Sequence, residues 1–323
     1  MRHLATYFDS HYLPRALALF ASLDRHEGPW TAHILALNDE AAEALKAQGR
    51  DNLRVTRLAD FEAAHPELAA AKAERSRIEY YFTMGPAYIL SVLEAAQAPE
   101  AVTYVDADLY FFGSPQPLYD ELAGASVGLV PHGFSPRNQA SLEAGRFNVG
   151  WIYFKNDASG LACLRWWKDR CIEWCFDRVE ADRYADQKYL DGFPELFEGV
   201  KIVSQRGANA APWNVDGMRF SEKAGQLRVD ESPLLFYHFH GLKQLRPWLF
   251  DLNIGAYGAR CWGLLRRRVY LPYLAELEGL QAGLSLGGIR RAPSRPGLLG
   301  RLRMAKRAIF NGSYAFKFGK RFF

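Results

Sequence analysis

A chain of 323 residues, 49% hydrophobic and 24% charged, is long enough for a sizeable core and has the composition of an ordinary soluble globular protein. Four cysteines, at positions 163, 171, 175 and 261, lack the paired spacing of a zinc site or a disulfide framework, so a reducing cytosol is the expected setting. The net charge of +4 conceals an asymmetry: residues 290–323 hold ten basic residues and no acid, leaving 30 basic against 36 acidic residues in the body.

The N-terminus opens directly into a strand-like run without a secretory signal, and no apolar stretch approaches the ~20 residues that span a bilayer. His3 to Phe8 reads as a buried strand. Leu13 to Leu23, apolar at 13, 16, 17, 20 and 23, reads as a helix with Pro14 in its first turn. Between them Asp9 to Tyr12 forms a loop beyond the carboxyl end of a strand, where open parallel sheets bind ligands. A helix cap by Asp9 or Ser10 is the other use of these residues. Thr31 to Leu37 and Leu53 to Leu58 read as strands, followed by helical segments over Asp39 to Gln48 and an Ala-rich run to about Lys72. The alternation predicts an α/β fold with a mostly parallel sheet. Arg75 to Thr83 mixes charge with aromatic residues before a helix over Pro86 to Ala96. Arg77 is placed either to hold a diphosphate bidentately or to pair with Glu79 on the surface.

The densest signal is Val102 to Phe112, an apolar run interrupted by Asp106 and Asp108. Residues i and i+2 of an extended chain point to the same side, so both carboxylates project together where a strand gives out. Adjacent carboxylates repel unless something neutralises them, and a hard cation such as Mg²⁺ or Mn²⁺ takes oxygen ligands and bridges to phosphates. A solvated surface turn is the alternative, set against so apolar a neighbourhood. Ser126 to Pro131 is a further strand. Phe147-Asn148-Val149-Gly150 leads into another that runs to Phe154, with the glycine permitting close backbone approach. Gly160 to Phe176 reads as a Trp-rich helix, and Asp186-Gln187 places a carboxylate beside a carboxamide where a helical stretch opens. Leu234 to Lys243 contains a strongly apolar strand ending in His238 and His240 on one face, with Gly241 and Lys243 directly behind. A nitrogen ligand beside carboxylates suits Mn²⁺ better than Ca²⁺.

Gly279 to Gly300 reads as a Gly-, Pro- and Arg-rich linker, dividing a body over 1–280 from a basic tail over 281–323. In the tail Leu298, Leu302, Ala305 and Ile309 recur at helical spacing, with Arg301, Arg303 and Arg307 off that stripe. With the Phe and Tyr residues beyond it, this segment suits an anionic membrane surface. A disordered basic tail and a nucleic-acid contact are the rivals, and no nucleic acid is the expectation.

The Asp106-Ala107-Asp108 strand end, Phe147 to Gly150, Asp186-Gln187 and His238 to Lys243, in that order within residues 1–250, resemble the glycosyltransferases of the GT-A fold. They look most like the retaining glycosyltransferase family 8, to which glycogenin and the bacterial lipopolysaccharide galactosyltransferases belong. The resemblance implies a metal-dependent transfer of a hexose from a nucleotide sugar, a UDP-sugar, to a glycan or glycolipid acceptor with retention; the cysteines and the basic tail add the expectation of a cytoplasmic protein, peripheral at the inner face of a membrane. It implies Mn²⁺ or Mg²⁺ on Asp106 and Asp108. The family's His-x-x-Gly pattern selects His238 as a further ligand with Gly241 behind it, whereas counting back from Pro247-Trp248 selects His240. Lys243 is then the phosphate contact, with Arg246 as its rival. Asp9 and Tyr12 match the nucleotide loop, Asn148 and Gly150 the lining of the sugar site, and Asp186-Gln187 the pair beside the anomeric carbon.

Three rival functions are weaker. A phosphatase with an Asp-x-Asp nucleophile wants Thr where Tyr110 stands, and a nucleotidyltransferase wants a Gly-rich phosphate loop near the N-terminus. A catalytically inactive binder of carbohydrate or membrane has no need of these acids and histidines.

Overall fold

Burial of the strands on both faces decides the architecture. The structure is a computed structural model that describes residues 1–284, 310–319 and 321–323. In strand β1 (Arg2–Phe8), Leu4 and Phe8 pack on one face of the sheet and Ala5 on the other. The chain continues through α1 (Leu13–His26), β2 (Trp30–Ala36), α2 (Asp39–Lys46), β3 (Leu53–Arg57), α3 (Leu58–Ala64) and α4 (Ala69–Glu74). Then come α5 (Arg77–Leu93), β4 (Ala101–Val105), β5 (Leu109–Phe111), α6 (Gln116–Glu121), β6 (Val127–Pro131), β7 (Phe147–Lys155), α7 (Ala158–Glu173), α8 (Phe193–Leu196) and β8 (Val200–Ile202).

Among the described residues, seven of these strands form one sheet in the order β3-β2-β1-β4-β7-β6-β8. The neighbours of β1 are parallel to it, and β7 alone of the seven runs antiparallel to both of its neighbours. The mostly parallel α/β sheet is therefore as expected. Helices cover both faces: α1 closes a core holding Phe20, Trp30 and Trp151, while α5 and α7 close one holding Tyr88, Trp167 and Phe193. Both faces being buried explains why the strands read as continuous apolar runs.

The charged and aromatic stretch at 75–83 belongs to α5, which begins at Arg77 and runs through Pro86, so the helix is longer than the one expected from Pro86. A capping box starts it: Ser76 and Glu79 bond each other's backbone N–H groups. The Ser-x-x-Glu spacing was the available signal. Gly85, beside Pro86, leaves room for Tyr7, since a Cβ there would lie 3.2 Å from its ring.

A second part of the chain packs at the carboxyl end of the sheet. It contains β9 (Phe220–Lys223), β10 (Gln226–Val229), β11 (Ser232–Pro233), β12 (Phe236–His238), β13 (Lys243–Arg246), β14 (Leu249–Asp251) and α9 (Leu271–Ala282). Its own core gathers Tyr237, Phe239, Tyr270 and Tyr273, with Phe239 and Tyr273 stacked at 3.6 Å. The linker expected from Gly279 starts too early, because α9 carries through to Ala282 with Leu277 buried. The amphipathic stripe over 298–309 lies outside the described residues. The last residues return to the body: β15 (Tyr314–Phe318) pairs with β14, and β16 (Arg321–Phe322) pairs with β15, burying Tyr314 and Ala315. No helix among the described residues is long and apolar enough to cross a membrane.

Candidate active site

The Asp-Ala-Asp segment is the turn between β4 and β5, and each end is held by backbone. The Asp106 N–H donates to the Gly150 carbonyl at 2.9 Å, and the Asp108 carbonyl accepts from the Phe239 N–H at 3.0 Å. Pairing of β5 with β12 sets Leu109 opposite His238, which brings the histidine beside both acids. The His238 Nε2 atom lies 3.1 Å from Asp108 Oδ1 and 3.6 Å from Asp106 Oδ2. One ligand atom from each of the three lies within 4.8 Å of the others. His238 and Asp108 are buried, while the Asp106 side chain keeps 32% of its surface open to an approaching ligand.

Two carboxylate oxygens and an imidazole nitrogen are a donor set that fits a divalent cation of intermediate hardness. Without one, the charges lean on each other. Burial, the largest single influence, lowers a histidine, but the Asp108 and Asp106 carboxylates together outweigh it and raise His238. Burial alone raises a carboxyl, yet His238 holds Asp108 low, whereas Asp106 is raised. The Tyr104 hydroxyl donates to Asp106 Oδ1 at 2.8 Å, and Tyr7 stands beside Tyr104 with ring centroids 5.5 Å apart.

Asn148 and Gly150, on β7, complete this corner. The Asn148 Oδ1 atom accepts from the Gly150 N–H at 3.1 Å and from His238 Nδ1 at 3.3 Å. Asp186 lies on the same side, buried, and follows Ala185 in the left-handed region at φ 46°. That backbone is costly for a residue with a Cβ. It is held by the Ala185 N–H donating to Phe176 O and by Trp167 Nε1 donating to the Asp186 carbonyl. The expected helical opening at Asp186-Gln187 is instead this strained bend, and a short 3₁₀ helix begins only at Lys188. Gln187 turns away, donating to the Ala144 carbonyl at 3.0 Å.

Burial first, and the Asp106 charge second, raise the Asp186 carboxyl from 3.8 to about 8. It is therefore protonated at neutral pH in the metal-free protein. A group whose folded pKa is raised contributes stability at low pH that is lost as pH climbs through the folded value. The expected result is that Asp186→Asn and wild type melt alike near pH 4, while at pH 8.5 the variant melts higher, by an amount reflecting several kcal/mol at most. Melting curves of the two metal-free proteins from pH 4 to 9 check this. A constant difference across that range would remove Asp186 from the balance.

The remaining predicted residues lie on the loop between β1 and α1, at the start of α5 and on the segment that follows β12. Asp9 accepts from the His11 N–H at 3.0 Å and does not cap α1, whose N-cap is Tyr12 without a side-chain bond; Ser10 bonds Asn38 instead. Burial, then the Asp108 charge, raise the Tyr12 phenol to about 12, which places it near the acids. Arg77 is exposed and makes no pair with Glu79, which is occupied by Ser76 and the Asp177 N–H. Burial raises the Tyr81 phenol, with Arg77 pulling it down and Asp9 pushing it up, so the start of α5 faces the Asp9 loop. Gly241 sits at φ 69°, and a Cβ there would strike the Asn253 carboxamide that donates to the His240 carbonyl. Lys243 and Arg246 are exposed on β13. His240 is exposed, its ring centroid 5.7 Å from that of His238, and it stands outside the three-residue cluster.

Three neighbours had no motif to announce them. Arg15 is buried on α1 and donates to the Leu242 carbonyl at 2.7 Å, tying the first helix to the loop after His240. Trp213 stands edge-on to both His238 and His240. His132, directly after β6, bonds Asn148. Apolar stretches flank all three, and only the fold brings them to the acids.

No family model matches the chain. Two proteins of Bacillus subtilis strain 168, both described as uncharacterized, are similar over most of their length. YfnD is 30% identical over 285 residues, 85% of this chain and 88% of its own; YfnF is 34% identical over 239 residues, 72% and 78%. The chain belongs to the family of YfnD and YfnF. Among solved structures, the galactosyltransferase LgtC in complex with donor and acceptor sugar analogs superposes with a TM-score of 0.55 at 17% identity, covering 88% of this chain and 97% of that one. An active-site mutant of LgtC gives 0.51 over the same shares, also at 17% identity. The fold of this YfnD-like chain is thus GT-A, with Asp106 and Asp108 just beyond the carboxyl end of the central strand β4 and His238 brought to them by β12.

Proposed function

We propose that this protein is a metal-dependent glycosyltransferase that moves a hexose from a nucleotide sugar, a UDP-sugar, to a glycan or glycolipid acceptor with retention, as in family 8. The observation that carries the reading is the meeting of Asp106, Asp108 and His238 on a GT-A sheet. A phosphatase or an inert binder gives no reason for a buried histidine aimed at two carboxylates. Asp106, Asp108 and His238 would hold Mn²⁺ or Mg²⁺, which when bound supplies positive charge to the leaving diphosphate.

The other roles belong to the chain's own groups. Lys243, next to the Gly241 turn, contacts phosphate, and Asp9, Tyr12 and Arg77 hold the nucleotide. Asn148 and the open backbone at Gly150 line the sugar site. Asp186, protonated where it is buried, donates a hydrogen bond to a sugar hydroxyl, and Gln187, its partner beside the anomeric carbon, stabilises the positive charge that develops there. The surrounding apolar core excludes water, which strengthens each of these interactions.

A melting screen of nucleotide sugars with and without Mn²⁺ tests the reading, since a bound donor stabilises the folded state by mass action. The expected result is a metal-dependent rise for one donor class. His238→Ala should lose that rise, and His240→Ala should keep most of it. The opposite ranking would move the metal ligand to His240, and a screen with no metal-dependent rise would remove the glycosyltransferase reading.

A further inference from the structure

The polar chain behind His238 has a direction that hydrogen-bond chemistry alone determines. The Gly150 N–H can only donate, so the atom of Asn148 that it meets at 3.1 Å is the carbonyl oxygen. The same oxygen faces His238 Nδ1 at 3.3 Å, so that nitrogen carries a proton and donates. The Asn148 amide nitrogen then points the other way, 3.2 Å from His132 Nε2. An amide nitrogen has no acceptor capacity, so His132 Nε2 must present its lone pair and keep its proton on Nδ1. Each assignment forces the next.

His132 is built to stay in place. Its ring is 4% exposed, stacked on Phe134 at 4.6 Å and edge-on to Trp213 at 5.3 Å. Its backbone N–H donates to Arg146 O, and its carbonyl accepts from Trp213 Nε1 and Asn214 Nδ2. We propose that His132 is a positioning residue for the cation site: its Nε2 fixes which way the Asn148 carboxamide faces. Through that amide it holds the His238 proton on Nδ1 and turns the Nε2 electron pair toward Asp106 and Asp108. The inference rests on the cation-binding part of the reading above. Burial first, then the His238 charge, lower the His132 ring to about 3, which keeps its Nε2 free to accept at working pH.

A ligand histidine whose second nitrogen is held by a partner binds metal more firmly, and loss of such partners costs about ten- to a hundredfold in affinity. A free carboxamide can rotate and present its NH₂ to His238, which would favour the wrong tautomer. The Asn148–Gly150 bond alone resists that rotation incompletely, and the His132 acceptor supplies the second anchor.

Calorimetric titration of the metal-free full-length protein with Mn²⁺ alone tests the relay. His132→Phe keeps the stacking but removes the acceptor, and should raise the Mn²⁺ dissociation constant roughly ten- to a hundredfold. His132→Gln, whose amide oxygen accepts, should recover most of that loss. In an Asn148→Ala background, His132→Phe should cost nothing further, because the coupling partner is gone. Unchanged affinity in a folded His132→Phe, or losses that simply add, overturns the relay. Nitrogen-resolved NMR of the wild-type imidazoles needs no variant: a His132 proton on Nε2 overturns it as well. A wild type that binds no Mn²⁺ overturns the glycosyltransferase reading and the relay together, whereas wild-type binding with an indifferent His132→Phe overturns the relay alone.

Discussion

Asp108→Asn is expected to cut Mn²⁺-dependent turnover of the nucleotide sugar by about 10²–10³-fold while the protein still folds. The substitution keeps the side chain's shape 3.1 Å from His238 Nε2, so the packing around a residue only 6% exposed need not change. What disappears is the negative charge. Asp108 is the acid that raises His238 most and that burial leaves least hydrated, so its charge has the least solvent to replace it. A cation at this corner would keep one carboxylate instead of two, and the electrostatic attraction falls accordingly. Turnover measured against Mn²⁺ concentration, with a melting curve to verify folding, decides the matter. Wild-type activity in the variant would end the metal assignment.

Gly150→Ala is expected to disable the site by sterics alone. A Cβ at this position would lie 2.6 Å from Asn148 Oδ1, 2.8 Å from His238 Cε1 and 3.0 Å from Asp106 Oδ2. None of these atoms is the free end of a flexible surface chain; each is held by a hydrogen bond or an ion pair already described. The methyl group must therefore push apart the ligands and the carboxamide that orients one of them. Overpacking of this kind costs about 1–3 kcal/mol of stability, and Mn²⁺ affinity should fall with it. Calorimetry of Mn²⁺ binding and a melting curve measure the two effects separately. An alanine variant that binds Mn²⁺ like wild type would show that the corner relaxes, and that the glycine serves something other than close approach.

The two substitutions probe different layers of the same corner. One removes charge without changing shape, and the other changes shape without removing charge. If both abolish Mn²⁺ binding, the site depends on charge and on close packing together, as the short Asp106–Gly150–His238 contacts require.

Much of this architecture was legible because its physics is local. The short continuous apolar runs alternating with helical stripes revealed a parallel α/β sheet, since a strand covered on both faces carries no polar side. The same spacing rule placed Asp106 and Asp108 on one side of the chain, and the glycine at 150 carried its meaning in its missing side chain. The helix over 77–93 was legible too, through Ser76 and Glu79, but the charged and aromatic residues around them obscured it. Small satellite strands such as β13 and β15 were not legible, because short pairs gain their stability from distant partners more than from their own pattern.

By itself the sequence determined the carboxylate pair, the strand end that carries it, the glycine beside it, and two histidines at matching spacing. It did not choose between those histidines, since i and i+2 share a face, Gly241 selecting His238 and Pro247-Trp248 selecting His240. Only the tertiary structure decided that Leu109 stands opposite His238, a register between residues 129 positions apart that sends His238 inward and leaves His240 exposed. The same long-range packing brought His132 to Asn148 and Arg15 to Leu242. Local periodicity says which side a residue faces; what it then meets is set by which distant elements bury their apolar surface together.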